Sequence, residues 1–373
     1  MANLPSEVLT EILSRVPPKP LIKFRSISKS WLSLIDSWLF IHLHLKNSIV
    51  SLILRRESEL YSISLESLNV VVELAHPLMC YSNQIRVLGS ANGLLCISNV
   101  AEDIAFWNPT IKKHKVLPFL PVDRPVGDTT ISMCGARAYG FGYDSVHDDY
   151  KLVRISQFIG FDGGGFVSEV KVFSLRANEW RKVEEMRYVL CYARRNATLA
   201  CGALHWVVSN KFEVTKGDQI VSFNLTAENF RELPLPEGLE HDKVMIDVGV
   251  LGENVCVTAD YHGVRVDVWV MKEYGVKASW YKLFTVAHNV VGFGSFEYLR
   301  PLAYSKSGEE VLLEQDGKRL VWYDWKRNEV KNVKIPGMPD SFEAEICLGS
   351  LVPVEPIRKC HEKKQDKNNK KKR

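Results

Sequence analysis

A short hairpin pattern recurs along this chain of 373 residues, and it limits the possible folds more than any other feature of the sequence. Each copy has an aromatic or aliphatic residue, a Leu-like residue two positions later and a short polar turn. An apolar residue, a polar pair and an aliphatic residue follow the turn. An alternating strand that turns and returns in this way is a β-hairpin. The copies begin at Phe173, Phe223 and Tyr323, at Trp107, at Trp269 with a longer turn, and most weakly at Ile63.

Further strand-like segments lie between the hairpins, for example residues 198–208 and 302–314. Four strands in every ~40–50 residues is the spacing of β-propeller blades, so six hairpins predict an all-β, propeller-like domain of about six blades. The first blade lacks a strand. We expect residues 346–354 to complete it and close the ring, because closure removes exposed sheet edges. The alternative architecture is an open pair of β-sandwiches.

The N-terminal 45 residues differ from the rest and are predicted to be helical. Leu4, Val8, Ile12 and Val16 recur every four residues, which is the spacing of one helix face. Pro17-Pro18 ends this helix, because proline donates no amide hydrogen and restricts the residue before it. A second short helix is predicted at residues 21–25 and a third from 29 to about 38, which gives a small all-α domain of three helices.

The helical head contains more apolar residues than its own core can bury. About 40 residues form a marginal core, and helices this short are unstable alone. Two interpretations remain open on these residues: the surplus packs on the following domain, or it docks a partner protein. The residues that cannot all point inward are Leu4, Pro5, Leu9, Leu13, Pro18 and Leu21.

The order and spacing of the head residues resemble an F-box. The resemblance includes Leu4-Pro5, Ile12-Leu13, Pro17-Pro18, Phe24-Arg25 and Ser28-Lys29-x-Trp31. It implies that the head binds a Skp1-type adaptor and through it a cullin-based ubiquitin ligase. By family analogy the adaptor contacts are expected among seven residues, some of which could instead form the core of the head. They are Leu4, Pro5, Ile12, Leu13, Pro18, Leu21 and Trp31.

The β region resembles the kelch-like F-box-associated domain of plant F-box proteins. The resemblance is carried by Gly93-Leu94-Leu95-Cys96, Trp107-Asn108-Pro109-Thr110, Tyr139 to Asp144 and Asp149 to Val153. It is nearest to the group called constitutive expresser of pathogenesis-related genes. Resemblance to that group implies that the targets are immune receptors of the nucleotide-binding leucine-rich-repeat (NLR) class and that the protein negatively regulates plant defence. Pollen S-locus F-box proteins share the architecture with a different target.

The net charge of +4 has an uneven distribution. Residues 358–373 contain nine Lys or Arg and two Asp or Glu, a net of +7, so residues 1–357 carry −3. A near-neutral body gives no reason to expect a nucleic-acid partner, and no segment approaches the ~20 apolar residues of a membrane span.

We expect an adaptor-binding head at 1–45, a target-binding domain at 46–355 and a basic disordered tail at 356–373. The tail is either a nuclear localisation signal or a solubilising or weakly membrane-attracted end, and the expected location is nucleus and cytoplasm.

No catalytic motif, cofactor motif or metal-ligand spacing stands out. The eight Cys form no CxxC pair, and with no signal peptide they are expected to be reduced thiols. A non-catalytic receptor acts by holding its target close to a ubiquitin-charged enzyme. We expect the target-binding face of the propeller to be lined by the loops 118–135, 159–167, 210–217 and 235–242. The alternative function is a kelch-like propeller enzyme or sugar-binding module with an incidental helical N-terminus.

Overall fold

Four short helices begin the chain, and prolines and serines set their boundaries. The computed structural model describes residues 5–78, 84–121, 131–160, 166–191, 196–209, 218–239, 244–287 and 292–355. The first helix ends before Pro17, as predicted, but Pro18 is the first residue of the second helix, which begins three residues earlier than the predicted start at residue 21. The helices are α1 (Ser6–Ser14), α2 (Pro18–Phe24), α3 (Lys29–Ile35) and α4 (Trp38–Lys46).

The fourth helix was not predicted. Ser37 interrupts the expected third helix because its side-chain oxygen accepts the backbone N–H of Phe40 at 3.2 Å, which starts α4. Ser28 caps α3 in the same way through Trp31 N at 3.2 Å. A serine in front of an apolar run is the sequence signal that marks this boundary.

Twenty-five strands in the described residues form six sheets, each of which is one blade of a propeller. Blade 1 contains β1 (Val50–Arg56), β2 (Glu59–Ser64) and β3 (Val71–Leu74). Blade 2 contains β4 (Ile85–Ala91), β5 (Leu94–Asn99), β6 (Ile104–Asn108) and β7 (Lys113–Val116). Blade 3 contains β8 (Ile131–Asp144), β9 (Asp149–Gly160), β10 (Phe166–Ser174) and β11 (Glu179–Lys182). Blade 4 contains β12 (Val189–Leu190), β13 (Thr198–Ala200), β14 (Ala203–Ser209), β15 (Gln219–Asn224) and β16 (Phe230–Leu233). Blade 5 contains β17 (Met245–Leu251), β18 (Asn254–Asp260), β19 (Arg265–Met271) and β20 (Trp280–Ala287), with a 3₁₀ turn at Lys277–Ser279. Blade 6 contains β21 (Leu299–Tyr304), β22 (Glu310–Gln315), β23 (Arg319–Asp324) and β24 (Glu329–Val333).

The last strand, β25 (Glu343–Leu348), closes the ring by pairing with β1. The register runs from Val50 opposite Leu348 to Arg55 opposite Glu343, and the Arg55 guanidinium donates to the Glu343 carboxylate at 3.0 Å. The prediction that a C-terminal segment completes blade 1 is therefore confirmed, although the strand begins three residues earlier than expected. The propeller architecture replaces the alternative of two open β-sandwiches.

The repeated unit of the sequence forms the two outer strands of the blades. Phe173 lies opposite Trp180, and Phe223 lies opposite Phe230. A small polar residue follows the first aromatic residue in the clear copies, and its side chain accepts backbone N–H groups of the turn. Asn224 Oδ1, for example, accepts from Thr226 N at 2.9 Å and from Ala227 N at 2.7 Å. The equivalent polar residues are Asn108, Ser174, Asn224 and Asp324.

The hydrophobic core lies mainly between blades, because successive residues of each strand pack against different neighbours. In β1, Ile53 contacts the blade 2 side, whereas Leu52 and Leu54 belong to the cluster shared with blade 6. Strands covered on both faces contain continuous apolar runs, as in residues 94–97 of β5, a strand that is buried throughout.

Candidate functional surfaces

The first helix of the head presents an apolar face to solvent. Val8 and Ile12 lie one helical turn apart, and their exposed fractions are 43% and 50%. Pro5 precedes the helix and is exposed, and its carbonyl accepts the backbone N–H of Leu9 at 3.1 Å. Exposed aliphatic residues at helical spacing on a folded helix are typical of a protein-binding surface.

The seven residues predicted as adaptor contacts lie in different environments. Pro5 and Ile12 are exposed. Trp31 is partly buried, and its ring lies edge-on to that of Phe24, with 5.7 Å between the ring centroids. Leu13, Pro18 and Leu21 are buried within the chain, so their side chains belong to the core of the head in this structure. Leu4 lies outside the described residues. Spacing in the sequence alone does not separate these two groups.

The head shares its core with the propeller. Leu21, Ile35 and Phe40 belong to one buried cluster that also contains Phe106 of blade 2 and Phe141 of blade 3. The residues after β25 enter the same cluster through Leu351, Val352 and Val354. Surplus apolar residues of the head therefore pack on the domain behind, and others, such as Ile12, remain exposed.

Polar contacts fix the orientation of α4 on blade 3. Trp38 Nε1 donates to Asp148 Oδ2 at 3.1 Å, and the Tyr143 hydroxyl donates to Asp148 Oδ1 at 2.6 Å. His42 Nε2 lies 3.3 Å from the same hydroxyl. Burial and the Asp148 hydrogen bond raise the pKa of Tyr143, so the phenol stays protonated and remains a donor. The head is thus attached by directed bonds as well as by apolar packing.

The turn 144–149, which carries Asp148, also connects blade 3 to blade 4. The buried Lys151 Nζ donates to Asp144 Oδ2 at 2.7 Å and to the Leu225 carbonyl at 2.7 Å, and it pairs with Glu228 at 2.8 Å. Thr226 donates to Asp144 Oδ1 at 2.8 Å. Burial by itself raises the pKa of Asp144, but the hydrogen bonds that its carboxylate accepts lower the pKa by a larger amount. The pKa of Asp144 therefore lies below its usual range.

An open cleft of about 320 Å³ lies beside this turn, between blades 3 and 4. Three of its charged residues form ion pairs, since Glu228 pairs with both Lys151 and Arg181. Asp149 likewise accepts from Ser174 Oγ at 2.5 Å and from Arg176 N at 2.8 Å. The cleft therefore offers few uncompensated groups to a ligand.

The loops predicted to line the target face leave the propeller at the end away from the head. We call the end that carries the turn 144–149 the head face and the opposite end the distal face. β9 and β10 meet at the distal face, where Ile159 pairs with Phe166, and β14 and β15 meet there at Val208 and Gln219. Of the predicted loops, 210–217 lies wholly outside the described residues, and the other three lie partly outside them, at 122–130, 161–165 and 240–242.

The described start of one such loop is held rigidly. Arg154 donates to the carbonyls of Leu120 at 2.8 Å and Pro121 at 3.1 Å, and Trp180 Nε1 donates to the Pro118 carbonyl at 3.1 Å. Phe119, between these anchored residues, is 70% exposed. An aromatic side chain on a fixed backbone loses little entropy when it binds.

The histidines of α4 serve the packing of the head. His42 Nδ1 lies 2.9 Å from the Trp38 carbonyl, and His44 Nε2 lies 3.0 Å from the Val16 carbonyl. Burial lowers the pKa of His44, which favours the neutral ring. Within the described residues, no group of three His, Cys, Asp or Glu side chains is arranged to hold a metal ion. Across the same residues, no helix has the length and hydropathy needed to cross a membrane.

Comparison with known proteins agrees with this division into head and propeller. The F-box domain model matches residues 1–43, and the model of the F-box associated beta propeller domain matches residues 51–349. Among solved structures, an oligogalacturonate lyase from Vibrio parahaemolyticus aligns with a TM-score of 0.40 at 9% identity, over 74% of this chain and 70% of that one. A similarity of this size carries no functional argument.

Curated relatives are similar over nearly the whole chain. F-box protein CPR1 of Arabidopsis thaliana is 38% identical, with 94% of this chain and 89% of that protein covered. A second F-box protein of the same plant is 33% identical over 94% of this chain and 90% of its own length. An F-box/kelch-repeat protein, also from Arabidopsis thaliana, is 29% identical over 84% and 85%. The chain belongs to the family of F-box proteins that carry an F-box-associated β-propeller domain.

Proposed function

We propose that the protein is the substrate-recognition subunit of a Skp1-cullin-F-box ubiquitin ligase and catalyses no reaction itself. The observation that carries the proposal is the exposed apolar face of α1, with Val8 and Ile12, on a head that matches the F-box model. Membership in the F-box family supports a role as an adaptor for substrates. The head is the adaptor-binding part, and the propeller is the target-binding part.

The proposed mechanism is proximity. A receptor that holds its target close to a ubiquitin-charged enzyme makes transfer to a target lysine effectively intramolecular. This requires a fixed geometry between the two binding surfaces. The shared core and the Trp38–Asp148 hydrogen bond support such a geometry, and the distal face is the side of the propeller left uncovered by the head.

For the target we propose a protein of the NLR immune receptor class, with a negative effect on plant defence. The support is the resemblance to the constitutive expresser of pathogenesis-related genes group, together with 38% identity to CPR1 over 94% of the chain. A location in nucleus and cytoplasm is proposed on the basic residues 358–373. Phe119 is the described residue of the distal face that we expect to contact the target.

Adaptor binding is tested with Ile12→Asp in the full-length chain. Removing an exposed apolar contact and burying a carboxylate is expected to weaken binding of a recombinant Skp1-type adaptor by at least about tenfold, or ~1.4 kcal/mol. Because Ile12 is half-exposed, the thermal melt should stay unchanged. Affinity is measured by surface plasmon resonance.

The matched control is Val264→Asp, which changes an aliphatic residue that is 65% exposed, somewhat more than Ile12, on the distal face of blade 5. It should leave adaptor affinity intact. Equal losses in both variants, or no adaptor binding by the unmodified chain, would contradict the proposed role of the head.

Targets are identified by affinity purification under proteasome inhibition, comparing the unmodified protein with Ile12→Asp. Deleting the head is unsuitable, because it would uncover Leu351 and Phe141 of the shared core. Target proteins should be enriched by both baits, whereas adaptor and cullin should be enriched only by the unmodified one. Absence of any NLR receptor among the shared proteins would contradict the proposed target class.

A further inference from the structure

The outermost strand of blade 1 presents apolar side chains to solvent. This strand is β3, and Val70 comes directly before it. The side chains of Val70 and Val72 are 59% and 47% exposed. Glu73 is the only charged residue in the sequence of 70–74. This segment therefore combines exposed aliphatic groups with the open edge of a sheet.

The outer strands of the other five blades differ from β3 in their charge. Each of them carries at least one Lys or Arg, whereas β3 contains none. Charged side chains, and lysine above all, keep the edges of natural sheets from pairing with other chains. Blade 1 lacks this protection. The basic residues of the other outer strands are Lys113, Lys115, Arg181, Lys182, Arg231, Lys282 and Lys331.

The backbone of this edge is paired on one side. β3 pairs with β2, from Leu60 opposite Leu74 to Ile63 opposite Val71. In an antiparallel ladder, alternate residues direct their N–H and C=O groups away from the partner strand. Across the part of the chain that the structure describes, no backbone–backbone hydrogen bond joins residues 70–74 to a segment other than β2. A further extended strand would satisfy the outward groups.

We infer that β3 pairs antiparallel with β3 of a second copy of this chain, which gives a symmetric dimer joined through blade 1. The segment 70–74 is complementary to itself about its midpoint, Val72. In this register Val72 lies opposite Val72 of the second copy, and Val70 lies opposite Leu74. Glu73 lies opposite Val71, so no two carboxylates face each other across the pair. A two-fold axis closes such a dimer, because both copies use the same segment.

The pairing lies at the rim of the propeller and uses neither α1 nor Phe119. The inference therefore goes beyond the proposed function and does not depend on adaptor binding. A dimer would present two distal faces to one target, which raises the avidity for a target that has two binding sites.

The first test is the mass of the full-length chain by analytical ultracentrifugation. A contact of this size is small, so the average mass should rise from 42.5 kDa toward twice that value only above roughly 10 µM protein. Val72→Lys should raise the dimer dissociation constant at least about tenfold, because it places two ammonium groups opposite each other.

The matched control is Val116→Lys on β7, the outer strand of blade 2. Val116 is 50% exposed, close to the 47% of Val72, and it follows Lys113 and Lys115 on its strand. This variant should dimerise like the unmodified chain. Because both valines are exposed, the thermal melts of the two variants should match that of the unmodified chain.

The second test is a cysteine at the midpoint of the segment. Residues directly opposite in an antiparallel pair have Cα atoms about 4.5–5.5 Å apart, which a disulfide can span. Val72→Cys should therefore give a disulfide-linked dimer on oxidation. Glu73→Cys should give no more than the unmodified chain, which supplies the baseline for its own thiols, such as the exposed Cys201.

Three results would overturn the inference. They are a chain that stays monomeric at about 100 µM, equal dimerisation of Val72→Lys and the unmodified chain, and cross-linking of Glu73→Cys in place of Val72→Cys. A monomeric chain that binds a synthetic Thr-Val repeat peptide, with binding lost in Val72→Lys, would instead assign β3 to a strand of another protein. If the mass rises while the adaptor does not bind, the dimer stands and the proposed function fails.

Discussion

Replacing Lys151 by Met tests whether the charged network between blades 3 and 4 stabilises the propeller. The Lys151 side chain is 6% exposed and that of Asp144 is fully buried, with 2.7 Å between Nζ and Oδ2. Methionine keeps the aliphatic stem and removes the charge. Breaking a buried ion pair by removing one partner costs about 3–5 kcal/mol, because the other charge stays buried. Asp144 retains Thr226 and His147, so we expect the lower end, about 3 kcal/mol.

A second lysine–aspartate pair provides the control. Lys282 lies 2.8 Å from Asp267, which is as buried as Asp144, but the Lys282 side chain is 39% exposed. Water already solvates the exposed Lys282 ammonium group and screens its attraction to Asp267, so Lys282→Met should reduce the free energy of unfolding by at most about 1 kcal/mol. The two free energies of unfolding are measured by urea denaturation, with tryptophan fluorescence and circular dichroism as independent probes of a single transition. Equal losses, or a more stable Lys151→Met, would refute the assignment of the difference to burial.

Two more measurements follow from the same regions. The folded-state pKa of Asp144 is lowered, so its contribution to stability is complete well above the unfolded-state pKa of ~4 and is lost progressively as pH falls from about 5 toward the lowered value. Lys151→Met should therefore lose less stability than the unmodified protein between pH 5 and pH 3 in urea titrations. In Gly93→Ala the new Cβ would lie 2.5 Å from the Leu348 carbonyl oxygen, whereas in Gly202→Ala it meets nothing within 4 Å, and both glycines have positive φ. Gly202→Ala should cost about 1 kcal/mol and Gly93→Ala clearly more, and equal melting temperatures would contradict the close approach.

The propeller could be predicted because its evidence is local and repeated. Each hairpin carries its own alternation and turn, and the outer-strand pairs Phe173–Trp180 and Phe223–Phe230 follow directly from that pattern. The conformation of the turn was missed, although its polar residue is present in the sequence. Asn178, Glu228 and Asn328 adopt positive φ at the same position of the unit, which becomes evident only with the backbone.

The division of the head into surface and core could not be predicted. Ile12 and Leu13 are adjacent in the motif, yet one is half-exposed and the other is buried. Their burial depends on which side of the helix meets residues more than 300 positions away, such as Leu351. Helical spacing identifies which residues share a face but not what that face contacts.

The position of the last strand has a consequence for synthesis. Val50 pairs with Leu348, and Leu351, Val352 and Val354 complete the core that holds Leu21 of the head. A ribosome therefore releases the head first but supplies the residues that finish it last. A chain that stops before residue 343 keeps the open edge of β1 and an incompletely packed head, a state that exposes apolar surface to chaperones and proteases. The chain order thus couples completion of the head to closure of the propeller.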